Sequence, residues 1–123
     1  MKLLFTDPEA VVQRQLDAYN AHDIDTLIDI YADDAQQFEH PMTLLARGST
    51  QMRERFVVRF QEPNVFARLV NRMVMGSIVI DHEIVTRTFP EGAGRIEMIA
   101  MYEVHDARIA NAWFIFGKKT LDG

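Results

Sequence analysis

The hydrophobic period of this chain changes between its two halves, and that change limits the folds open to it. In the first half, two short strand-like stretches apart, the apolar residues recur three and four positions apart, the spacing of one helix face. From Phe66 onward they alternate every second residue, the spacing of a strand with one covered face. Helices gathered ahead of strands, rather than alternating with them, predict an α+β domain with helices on one face of an antiparallel sheet.

The helical part divides into three. Thr6-Asp7-Pro8-Glu9 reads as a helix start, with Thr6 or Asp7 as cap and Pro8 in the first turn, where no N–H is needed. Val12, Leu16 and Tyr19 follow at helical spacing, and the helix should end near Ala21-His22. Asp23 is a second cap, and Ile24, Leu27, Ile28 and Tyr31 form the next apolar face. Residues 36–40 and 43–47 read as short strands. Met52, Phe56, Val57 and Phe60 then mark a third helix, with Arg53, Glu54 and Arg59 on its wet side.

Four long strands follow. On residues 66–75 the alternation places Leu69, Asn71 and Met73 on one face and Arg68 and Arg72 on the other. Gly76-Ser77 turns the chain. Ile78, Ile80, His82 and Ile84 form the apolar face of the next strand, so Asp81 and Glu83 are expected to point to solvent or to pair with Arg87 or Arg95. Residues 90–94 make a hairpin loop, and Ile96, Met98, Ala100, Tyr102 and Val104 line one face of the strand after it. His105-Asp106-Ala107-Arg108 is a turn without glycine. The last strand, from Ile109 to Phe116, is apolar on both faces, which predicts a homodimer through the sheet face with Trp113 at the contact.

Composition narrows the function. A chain of 123 residues suits one domain, covering residues 1–123. The net charge of -5, with scattered basic residues, argues against nucleic acid as a partner. No cysteine is present, so disulfides and thiol chemistry are excluded. The first five residues are too short an apolar run for a leader, and no window has the length of a membrane span, so a cytoplasmic protein without a membrane partner is expected. The four histidines show no metal-binding spacing, and glycine-rich phosphate loops are lacking, so neither metal nor cofactor is expected.

Three helices do not fill the concavity of a curved sheet, and the remainder is a pocket. Phe38-Glu39-His40-Pro41 is the stretch that brings chemistry to its wall. Strand geometry makes Glu39 and His40 alternatives, since neighbours face opposite ways, and whichever points inward is the candidate general base. His82 is the candidate second acid/base, and Asn71 a candidate polar contact. Tyr19, Tyr31 and Tyr102 can place hydroxyls in an otherwise apolar cavity lined by Phe38, Phe56, Met73, Met98 and Phe114. A flat hydrophobic small molecule fits such a lining.

The run VVQRQLDAYNAHDIDTLIDIYADDA, an acid-containing strand ending at a proline, ARGSTQMRERF, and the endings IAMYEV and IANAWFIFG resemble the nuclear transport factor 2-like superfamily, in its SnoaL-like and ketosteroid isomerase-like branches. The resemblance implies a cone-shaped fold, three N-terminal helices packed on a curved mixed, mainly antiparallel sheet enclosing a pocket. It also implies a cofactor-independent isomerase, cyclase or dehydratase acting on a hydrophobic carbonyl compound, or else a non-catalytic ligand-binding or protein-association module. In the isomerase pattern the base falls on Glu39 or His40. The oxyanion-holding tyrosine falls on Gln15, and the protonated aspartic acid on Ala100, or on Met101 if the last turn is aligned without a gap; none of these can play that part.

Overall fold

The computed structural model describes residues 7–123. Thr6 as a cap, and the reading of residues 1–5, lie outside them. Helix α1 spans Pro8–Asn20, with Asp7 extended at its N-cap and Pro8 in the first turn. Helix α2 spans Ile24–Ile30, and the Asp23 carboxylate accepts the Thr26 backbone N–H at 3.2 Å, the expected cap. Strands β1 (Tyr31–Glu39) and β2 (Thr43–Arg47) come before α3 (Gly48–Arg59), so the third helix is not N-terminal to the whole sheet. Strands β3 (Phe66–Met75), β4 (Ile78–Phe89), β5 (Gly92–His105) and β6 (Arg108–Leu121) complete the chain. Tyr31 opens β1 instead of closing α2. Its backbone is extended and pairs with Ile109, a tertiary contact that overrides the local helical pattern.

The six strands lie in the order β2-β1-β6-β5-β4-β3. β1 runs parallel to β6, and every other neighbouring pair is antiparallel. Two-residue turns join the long strands. At the β5–β6 turn Asp106 and Ala107 have φ of 51° and 63°, the double left-handed conformation that a tight hairpin asks for. For Ala107 that conformation costs roughly 1–2 kcal/mol.

The helices cover one face of this curved sheet. Val11 and Val12 of α1, Leu27 and Ile30 of α2, and Met52 and Phe56 of α3 pack against Val79, Ala100, Tyr102, Val104 and Ile109. Each fully buried aliphatic side chain contributes roughly 1.5–3 kcal/mol through the water it leaves. Leu27→Ala, at 0% exposure, should therefore cost about 2–5 kcal/mol, cavity included.

Two expected faces are reversed. On β4 the buried series is Val79, Asp81, Glu83 and Val85, while Ile80, His82 and Ile84 lie on the uncovered side and are only half-buried. Pairing decides this. Asp81 sits opposite Ala100 and Glu83 opposite Met98, so the carboxyls share the face of the β5 residues on which the helices pack. On β3 the register shifts between Leu69 and Asn71, leaving Val70 as an extra residue. That bulge turns Arg72 inward, opposite Asp81, and sends Asn71 outward, opposite His82.

Candidate active site

A cavity of about 70 Å³ opens between α1, α3 and the helix-covered side of the sheet. Its apolar wall is built from Ile96, Met98, Phe114 and Phe116 on the sheet and Leu16 and Phe56 on the helices. Set into that wall are Glu83 and the hydroxyl-bearing Tyr19 and Tyr102, with Gln15 and Gln37 beside them.

The strand period puts Asp81 and Glu83 two residues apart on one face, at 0% and 2% exposure. Their surroundings differ. Arg72 forks onto Asp81, with Nε to Oδ1 at 2.7 Å and Nη2 to Oδ2 at 2.9 Å, and its Nη1 donates to Gln13 Oε1 of α1 at 2.8 Å. The bonds to Asp81 raise the Arg72 pKa, and the bond to Gln13 ties α1 to the sheet. Among the described residues no hydrogen bond or ion pair reaches the Glu83 carboxyl. Burial pushes its pKa up to about 8, with the Asp81 charge adding to the rise and Arg72 offsetting part of it.

The tyrosines keep their protons. Burial raises the pKa of Tyr102 well above its ordinary value, and a Glu83 charge raises it further. Burial also raises Tyr19, against the charges of Arg59 and Arg87. Tyr31 is fully buried behind the wall and likewise raised by burial, with its hydroxyl accepting from Gln37 Nε2 at 3.3 Å. Gln37 Oε1 in turn accepts from Arg55 Nη1 at 2.7 Å.

Gln15, Tyr19, Phe56, Met98, Tyr102 and Phe114 line the cavity, and Ala100 lies fully buried outside its lining. Other expected residues stand elsewhere. Glu39 and His40 are exposed at the end of β1, where the chain leaves the sheet through a cis His40–Pro41 bond, and neither lines the cavity. Phe38 points to the opposite side and stacks on Trp113, with ring centroids 6.0 Å apart. His82 is on the uncovered face, its Nε2 2.7 Å from Glu97 Oε2. Asn71 and Met73 are exposed there too. Asp81 pairs with Arg72, not with Arg87 or Arg95, and Arg59 of α3 faces the cavity instead of solvent.

Glu83, Gln37, Arg55 and Arg59 were not singled out as site residues from the sequence. Gln37 had a usable signal, since it shares strand parity with the apolar Ala35. Glu83 had none, because polarity argued for the wrong face of β4. Among the described residues no three His, Cys, Asp or Glu side chains gather as a metal site would need, and no helix is long and apolar enough to cross a membrane.

The profile of the SnoaL-like domain matches residues 12–112. The chain belongs to the SnoaL-like domain family. Solved structures agree on the fold of this SnoaL-like protein. A cystatin-fold protein of Novosphingobium aromaticivorans superposes with a TM-score of 0.81 at 22% identity, covering 89% of this chain and 97% of that one. IdmH, a candidate polyketide cyclase from Streptomyces antibioticus, gives 0.75 at 20% identity over 89% and 91%. An LEH-like epoxide hydrolase of M. tuberculosis gives 0.74 at 18% identity over 89% and 82%. No curated protein matches the SnoaL-like chain.

Proposed function

We propose that this SnoaL-like protein is a cofactor-independent enzyme that moves a proton on a mainly apolar carbonyl compound, with Glu83 as the acid/base. The observation that carries the reading is the Glu83 carboxyl on the cavity wall, without a hydrogen-bond or ion-pair partner among the described residues and with its pKa pushed up to about 8. A carboxylate of that basicity is a much stronger base than an ordinary one, and a fraction of it is ionised at neutral pH. It takes the proton from the carbon beside the carbonyl, and the electron pair moves onto the carbonyl oxygen. The Tyr19 and Tyr102 hydroxyls line the same cavity and supply donors for that oxygen. Returning the proton to a different carbon gives an isomer, and attack of the enolate on a second carbonyl closes a ring. Family membership and the likeness to a candidate polyketide cyclase support this class of reaction.

The test is deuterium exchange into the acidic CH2 of 2-tetralone, followed by NMR. Glu83→Gln should abolish catalysed exchange, while Glu39→Gln, His40→Gln and His82→Gln should retain it. Full exchange in the Glu83 variant would sink the assignment. A wild-type protein that binds ketones without exchanging them would favour a binding module.

The uncovered sheet face exposes Met73 and Ile115 and leaves Trp113 half-buried against Phe38. We propose a second copy of the chain as its cover, because an apolar face of this kind on a soluble domain marks an association surface. Sedimentation of Trp113→Arg should then report a monomer where the wild type gives a dimer.

A further inference from the structure

We infer that the ligand of this cavity carries a carboxylate, gripped by Arg55 and Arg59, on an apolar body that lies against Met98, Phe114 and Phe116. The inference rests on the same cavity being the ligand site, but not on Glu83 moving a proton.

Four charged side chains line the cavity: Glu83, Arg55, Arg59 and Arg87. The cations are unequally matched. Arg87 is answered by Glu62, with Nε to Oε1 at 2.8 Å and Nη2 to Oε2 at 2.9 Å. Arg59 stands 3.8 Å from that same Glu62, whose oxygens already serve Arg87 and the Thr88 backbone N–H. Arg55 pairs with no carboxylate among the described residues, and its hydrogen-bond partner is the neutral Gln37 amide. Glu83 is the one carboxyl in the lining, and burial raises its pKa to about 8. The cavity therefore presents an excess of positive charge on one side.

That excess is built in. Arg55 and Arg59 are one helical turn apart on α3, a spacing at which like charges repel. Both are half-buried. Burial and the neighbouring Arg59 charge together lower the Arg55 pKa. The guanidinium is also held in place. Arginine can only donate, so Gln37 must turn Oε1 toward it, and Gln37 Nε2 then donates to the fully buried Tyr31 hydroxyl. Gln37 takes one of the five guanidinium N–H groups. A carboxylate would accept from others in the planar fork, relieve the repulsion with Arg59, and leave the apolar part of the molecule on the phenylalanine wall.

The experiment compares 2-naphthaleneacetate with 2-naphthaleneacetamide, two probes of one shape and different charge, by calorimetry on the full chain at neutral pH. The acid should bind about tenfold or more tighter than the amide. Arg55→Gln and Arg59→Gln should bring the ratio close to one. Arg55→Lys, which keeps the charge but not the fork, should fall between. Arg53→Gln is the control, since Arg53 on the same helix pairs with Asp25 at 2.9 Å outside the cavity lining. Equal binding of acid and amide, a preference that survives in both glutamine variants, or no binding of the acid at millimolar concentration overturns the inference. Glu83→Gln should keep the preference for the acid. A loss of proton exchange and a loss of anion preference therefore fail separately.

Discussion

The two faces of β4 have opposite compositions and the less expected one is inside. Ile80, Ile84 and His82 lie on the uncovered side, while Asp81 and Glu83 lie beneath the helices. Within the covered face the contrast repeats on a smaller scale. Asp81 has a bidentate partner, and Glu83 has none among the described residues. The difference teaches that two neighbouring buried acids can be accommodated in two ways, one tied into the fold and the other set on a cavity wall. A paired buried carboxylate answers a desolvation cost, whereas an unpaired one avoids that cost by keeping its proton.

The largest effect should separate the two acids directly. Glu83→Gln is expected to lower turnover by about 100-fold or more while leaving the denaturation midpoint unchanged or higher, because a neutral amide replaces a group that is costly to ionise. Asp81→Asn should do the reverse. It strands the Arg72 guanidinium, at 9% side-chain exposure, and should cost about 3–5 kcal/mol in urea unfolding. If both variants lose stability equally, the distinction is broken. The Asp81 variant also sharpens it: removing the charge that raises Glu83, and freeing the Arg72 charge that lowers it, should move the midpoint of the pH–rate profile below about 8.

The pH dependence of stability comes next in size. The folded-state pKa of Glu83 is raised, so the folded protein binds a proton that the unfolded chain has released. Its contribution is fully present below the ordinary value of 4.5 and is lost as pH rises toward about 8. The loss is on the order of a few kcal/mol, and the comparison of urea midpoints at about pH 5 and about pH 9 should show it in the wild type and not in Glu83→Gln. The smallest effect belongs to the open face. His82→Gln removes a half-exposed pair with Glu97 and should change stability by no more than about 0.5 kcal/mol.

Much of the architecture could be read from the residues because period survives tertiary context. The bounds of β3 at residues 66–75 and the Asp23 cap follow from local rules, and so does the inward series Met98, Ala100 and Tyr102. The site was less legible for two physical reasons. Alternation divides a strand into two faces without saying which one the helices will cover, so polarity alone points Asp81 and Glu83 to solvent or to Arg87 or Arg95, and His82 to the covered face. A bulge shifts parity by one residue and has no firm mark in the sequence, so Asn71 and Arg72 exchanged sides. Glu39 and His40 sit where β1 ends, as Pro41 implies, but a place beside an apolar stretch does not reveal that both side chains are exposed there and off the cavity wall.

Val70 has one more consequence. β3 is one edge of the sheet, and among the described residues no strand neighbours the outer side of its backbone. Val70, Met73, Val74 and Met75 are all exposed along it. A straight apolar edge of that kind is a template for strand addition and aggregation. The extra residue at Val70 interrupts the ladder and bends the edge, which makes it a poor template. The residue that aims Arg72 at Asp81 thus also helps keep separate molecules from zipping together.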